Sequence, residues 1–131
     1  MKINKLIFSV LAVALPFATI AQTKKEAVDA YNNGATMIKE NPQGALDKLY
    51  ESIKISEQLG EEGEETKVLA ESLIPSVHFE LAMKLYKEKK SVETLEQLEK
   101  AEETAVKYGD AKTQQKVEKT IPKLYYAMGV N

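Results

Sequence analysis

The feature that most constrains this chain is an internal repeat with a period near 49 residues. Leu46, Leu49, Ser52 and Leu59-Gly60 recur 49 positions later as Leu95, Leu98, Ala101 and Tyr108-Gly109. The segments before them match in the same register. Tyr31 and Gly34 return as Phe79 and Ala82, 48 residues on, and again as Tyr126 and Gly129, 47 further. Ile74-Pro75 returns as Ile121-Pro122 at that same spacing of 47. A chain that repeats itself at this length is built from stacked supersecondary units, because one unit cannot bury its apolar face alone.

The units read as helical hairpins. Apolar residues recur at three- and four-residue spacing, β-branched alternation is missing, and Gly and Pro fall at segment ends. Asn41-Pro42 marks a stop followed by Pro in the first turn of a new helix. Gly60 and Gly109 stand just past helix ends, where a left-handed cap is wanted, and Ser91 and Asp110 are suited to capping N-termini. The pattern predicts helices over about 24–40, 43–59, 62–89, 91–108 and 110–130. They group into units of 24–60, 62–109 and a partial 110–131. Two helices that cross closely need a small residue where their axes approach and larger apolar residues beside it. Gly34, Ala82 and Gly129 are the small residues of the first helices. Ala45, Ser52 and Ala101 serve the second helices, with Leu49 and Leu98 between them.

On these residues the chain resembles the tetratricopeptide-repeat family. Its first helix carries a bulky residue, then Leu-Gly or Leu-Ala, then a bulky residue; Phe79, Leu81-Ala82 and Leu85 fit. Its second carries Ala, a large apolar residue and Ala; Thr94, Leu98 and Ala101 fit with one change. The first unit fits through Tyr31, Gly34, Met37, Ala45, Leu49 and Ser52. Two departures stand out: the period is longer than the family's about 34, and the Pro that follows the second helix is missing. The extra length is Glu61 to Ile74, read either as an extension of the next helix kinked near Pro75 or as a separate short helix ending at Ile74. The resemblance implies an all-α, right-handed α-solenoid of antiparallel hairpins. The third unit ends inside its first helix, with Leu124, Tyr125, Met128 and Val130 apolar. Either a truncated chain or a surface completed by a partner chain accounts for that.

The resemblance also implies where a partner would sit. First helices of such repeats line a concave face that receives peptides or helices. Here that groove holds Tyr31, Ala35 and Ile38, then Phe79, Met83 and Tyr86, then Lys123 and Tyr126. It is an apolar surface with aromatic and Met contacts, suited to an amphipathic helix or extended peptide. The alternative is that the aromatics Tyr31, Phe79 and Tyr126 pack between repeats. A clamp for chaperone C-terminal carboxylates does not fit. Of the matching positions only Lys123 has the right charge, and Glu80 would repel a carboxylate.

Composition removes several function classes. The 131 residues contain no Cys, so thiol nucleophiles and Cys-ligated metals are excluded. All 18 basic residues are Lys, against 20 acids, and the net charge of −2 does not suggest nucleic acid as a partner. The single His, His78, has Ile74, Pro75, Leu81 and Ala82 as its helical neighbours, none of them a ligand, and reads as packing. Glu61, Glu62, Glu64 and Glu65 lack the pattern of a calcium loop and complement a helix start. Lys84, Lys87, Lys89 and Lys90 read as a solvated helix end. No metal, cofactor or enzyme motif is expected.

Met1–Ala21 has the form of a secretory signal peptide, with Lys2 and Lys5, the apolar run Leu6–Leu15, Pro16 and small residues at Thr19-Ile20-Ala21. Pro16 interrupts the run before it is long enough to span a bilayer, so no stable membrane span is expected after cleavage. The expected protein is then a non-catalytic interaction module or scaffold, exported to the bacterial periplasm or cell envelope, that binds a protein or peptide. Alternatives are the exported sensor or accessory portion of a longer signalling protein or enzyme, and a self-associating structural protein that pairs through its C-terminal helix.

Overall fold

A computed structural model describes residues 20–21 and 23–129. The described part is all-helical: α1 (23–37), α2 (Pro42–Gln58), a single 3₁₀ turn (Gly60–Gly63), α3 (Glu64–Lys87), α4 (Ser91–Tyr108) and α5 (Ala111–Ala127). None of these helices is long and apolar enough to cross a membrane. Residues 1–19 and Gln22 of the expected signal and cleavage junction, like Val130, lie outside the described residues.

Local chemistry explains most helix ends. The Asn41 side chain accepts a hydrogen bond from Gly44 N at 3.0 Å, and Pro42, which has no N–H to satisfy, takes the first helical position of α2. Gly60 then adopts φ +61° and opens the 3₁₀ turn instead of leading directly into a helix. Asp110 caps α5 by accepting from Thr113 N at 3.0 Å. Ser91 does not cap α4. Lys90 occupies that position without a side-chain bond, and Ser91 is the first helical residue. The end of α3 forms a reciprocal cap, with Lys90 N donating to Leu85 O and Lys89 N to Tyr86 O, both at 3.0 Å. That geometry needs a left-handed residue, and here it is Lys89 at φ +61° rather than a glycine.

The segment Glu61–Ile74 resolves into that turn and the first half of α3, which continues through Pro75 as one helix instead of ending at Ile74. Pro122 likewise stays inside α5. Each proline removes one backbone donor from its helix. Pro75 is buried and Pro122 is exposed.

The other helices bury one stripe each; α3 buries two. Ile74, Val77 and Leu81 join Ala45, Leu46, Leu49 and Ile53 of α2 in one apolar cluster. Ala82, with Phe79 and Met83 against it, joins Leu98 and Ala101 of α4 and Val117 and Leu124 of α5 in a second. A helix apolar on two sides lacks a single stripe because it lies between neighbours, and α3 is that central helix. Accordingly α2, α4 and α5 all pack on α3, α5 also packs on α4, and the backbones of α2 and α4 stay apart, although Tyr108 of α4 packs against the first cluster.

Gly34 and its register equivalent Ala82 are both buried beside a large Leu cluster. A Cβ built on Gly34 would lie 2.9 Å from Leu49 Cγ, so α1 and α2 cross where a side chain is missing. In the next unit Ala82 meets the cluster of Leu98, 49 residues after Leu49. Leu49 and Leu98 are both fully buried, each contributing roughly 1.5–3 kcal/mol by leaving water. Gly129 breaks the series. It follows α5 at φ +70° with nothing within 4 Å, acting as a helix terminator and not as a crossing point.

Candidate functional site

Because α2 and α4 both lie on α3 with their backbones apart, a furrow of about 470 Å³ remains between them. Its α2 wall carries Gln43, Asp47 and Tyr50. Its α4 wall carries Gln97, Lys100, Glu103, Thr104 and Lys107, a stripe at three- and four-residue spacing, with Tyr108 beyond it. His78 of α3 and Leu46 complete the lining.

His78 is 6% exposed, and its Nδ1 lies 2.8 Å from Gln97 Oε1. An amide oxygen only accepts, so the neutral ring carries its proton on Nδ1 and donates it to Gln97. Burial holds the imidazole pKa below its ordinary value, outweighing the Gln97 bond that favours the charged form. Nε2 has no hydrogen-bond partner among the described residues and is not sealed from solvent. Tyr50 is 45% exposed, and partial burial raises its phenol pKa, with the Tyr108 hydroxyl adding to the shift, so it stays protonated at neutral pH. The Lys107 ammonium sits 5.2 Å from the Tyr108 ring centroid, a cation–π contact. Among the described residues Asp47, Lys100, Glu103 and Lys107 form no ion pair.

The sequence-predicted groove residues fall in four places. Tyr31 and Ile38 pack against the first cluster. Tyr31 also lines a hollow of about 310 Å³ between α1 and α3, beside Val28, Thr66 and Leu69. Ala35 is half-buried on the same helix. Phe79 and Met83 pack against the second cluster, and the Lys116 ammonium stands 5.5 Å from the Phe79 ring. Tyr86, 41% exposed, lines a separate hollow of about 520 Å³ with Lys87, Lys89 and Met128. Lys123 is exposed, and Tyr126 is 89% exposed because no later helix among the described residues covers α5. Tyr31, Phe79 and Tyr126 therefore share a sequence register but not an environment.

The register of the first helices does not point to the furrow, whose walls come from α2 and α4. The available signal was the polar stripe Gln97, Lys100, Thr104 and Lys107 on one side of α4. His78, whose helical neighbours in the sequence suggest packing, is buried and also lines the floor of the furrow. Among the described residues no cluster of three or more His, Asp or Glu side chains is arranged to hold a metal ion. Lys90 pairs with Glu88 at 2.8 Å, at the end of α3. Compared with protein-family profiles, with characterised proteins and with solved structures, the chain matches none.

Proposed function

We propose that the protein is a non-catalytic interaction module of the tetratricopeptide-like solenoid kind, working after export to the periplasm or cell envelope. It binds a peptide or helix of a partner protein across the face formed by α1, α3 and α5. The observation that carries this reading is the recurrence of a buried small residue beside a large Leu, Gly34 against Leu49 and Ala82 in the cluster of Leu98, which supports stacked hairpins of one design. Stacked hairpins leave one side of their first helices free, and Leu69, Tyr86 and Tyr126 on α3 and α5, all substantially exposed, support an accessible apolar surface there. Aromatic side chains of this kind contribute large contact area at small entropic cost, which suits them to anchoring a partner.

Capture from a detergent-solubilised envelope fraction, read by mass spectrometry, tests the reading. The bait is the chain from Gln22, compared with Tyr86→Ala/Tyr126→Ala and with Val106→Ala as a control. Tyr86, Tyr126 and Val106 are all exposed, so the variants should fold like the parent. A partner lost with the double variant and kept with Val106→Ala supports the proposal. A partner kept equally by all three rejects this face, and recovery of the bait alone favours self-association.

A further inference from the structure

The furrow between α2 and α4 lies apart from the surface assigned to the peptide partner, and its chemistry is different. We infer that it binds a small, uncharged, hydroxyl-rich molecule of the saccharide class, held by the His78–Gln97 pair and packed against Tyr50.

Size and shape come first. A concave space of about 470 Å³ falls within the range of small-molecule sites. It lies over the central helix where the backbones of its two neighbours stay apart, so the fold itself shapes it.

Charge comes next. Asp47 and Glu103 offset Lys100 and Lys107, and among the described residues none of the four forms an ion pair, although Lys107 stands over the Tyr108 ring. A ligand with a net charge meets a like charge within the same furrow, so electrostatics favour a neutral one. The hydrogen-bonding capacity of these groups remains largely unspent; Asp47 accepts one bond, from Gln43 at 3.2 Å. Carboxylates accept, ammonium groups donate and amides do both, and they alternate along the walls. Neighbouring hydroxyls, each donor and acceptor at once, match such an alternation better than a purely donating or accepting group does.

The floor sharpens the requirement. With its Nδ1 proton spent on Gln97 Oε1, the neutral His78 ring presents Nε2 as a bare acceptor. The ligand must donate there, and an O–H group can donate while its oxygen accepts from Lys100 or from the Gln97 amide. At the other end Tyr50 exposes much of its ring beside Tyr108. The C–H face of a sugar ring is apolar and would pack against that surface.

His78 is the only histidine, so its imidazole nitrogen signals report on the floor without assignment ambiguity. The full chain is titrated with glucose, N-acetylglucosamine, maltose and cellobiose, and in parallel with blocked triglycine as a neutral peptide probe. The expected result is a saturable shift of His78 Nε2 with at least one saccharide, at a Kd on the order of 1 mM. Tyr50→Ala, at a half-exposed position, weakens it about tenfold, while Tyr126→Ala, outside the furrow, leaves it unchanged. Circular dichroism confirms that both variants are folded. No shift with any saccharide, a shift indifferent to Tyr50→Ala, or tighter binding of the triglycine probe overturns the proposal. Because the partner-capture variants lie outside this furrow, either proposal can fail without the other.

Discussion

Replacing Gly63 with alanine tests whether the joint between the two units is set by a close approach of backbones. Gly63 is buried at the end of the 3₁₀ turn, with φ −97°, a value open to any residue. A Cβ added there would lie 2.1 Å from the Ser56 carbonyl oxygen, 2.7 Å from its carbon and 2.8 Å from its Cα. These are backbone atoms of α2, so no rotamer change relieves the clash and either the turn or the helix must move. Overpacking of this kind costs typically about 1–3 kcal/mol, and the rigidity of the neighbour places this case toward the upper end. Reduced freedom of the unfolded chain offsets about 0.4–1 kcal/mol. The net expectation is a loss of about 2 kcal/mol, or a Tm lower by roughly 7–9 °C for a domain of this size. Urea unfolding followed by far-ultraviolet circular dichroism measures it. Gly60→Asn is the control in the same turn: Gly60 has φ +61° and open space around it, and Asn tolerates the left-handed region, so the cost should stay under about 1 kcal/mol. A Gly63→Ala protein as stable as the parent, or more stable, would refute the close-approach argument.

Lys89→Gly should stabilise the protein by about 0.5–1 kcal/mol, since a left-handed L-residue costs about 1–2 kcal/mol and part of the relief is lost to chain entropy; an unchanged urea midpoint would count against it. Phe79→Ala should cost about 2–3 kcal/mol, below the 3–5 of a fully buried Phe, while Tyr126→Ala should stay within about 0.5 kcal/mol. Equal effects in thermal melts would show that the two register-equivalent aromatics share an environment after all. The depressed pKa of His78 means that the unfolded chain binds its proton more readily than the folded one. The stability this ring contributes is fully present above its unfolded value of about 6.5 and is lost as pH falls from there toward the lower folded value. Unfolding free energies from pH 7.5 to 5 should therefore fall faster for the parent than for His78→Gln. Parallel curves would remove that linkage.

Much of the helical layout was legible in the sequence, because the signals that start and stop helices act over three or four residues. Asn41 before Pro42, Asp110 before Thr113, and glycine at 60 and 109 needed no knowledge of neighbours, and the structure has helix ends at each. The exceptions also have local causes. Lys89 closes α3 in a conformation usually left to glycine, which no residue-type rule selects. Ser91, a good capping residue, lies one position inside its helix. For the region between Gly60 and Pro75, periodicity admitted either an extended helix or a separate short one. Burial of Ala70, Ile74, Val77 and Leu81 on α2 accompanies one continuous helix.

The candidate sites divide differently. The repeat register correctly identified residues of equivalent sequence position, yet equivalence along the chain is not equivalence in space. Phe79 has α4 and α5 beside it and is half-buried; Tyr126 has no following helix over it among the described residues and stands in solvent. The furrow was invisible because it is a relation among three helices. Its walls come from α2 and α4, its floor from α3, and it depends on the backbones of the outer two staying apart.

By itself, the sequence determined that this chain is helical, roughly where each helix begins and ends, and which small residue lies against Leu49. Those properties depend on backbone hydrogen bonds and side-chain spacing within a turn or two, which are written in order along the chain. Only the tertiary structure decided that α3 lies between two clusters, that Gly63 abuts the backbone of α2, and that a buried histidine opens onto a polar furrow. These depend on which surfaces meet, and close packing selects them through the summed shapes of residues far apart in sequence.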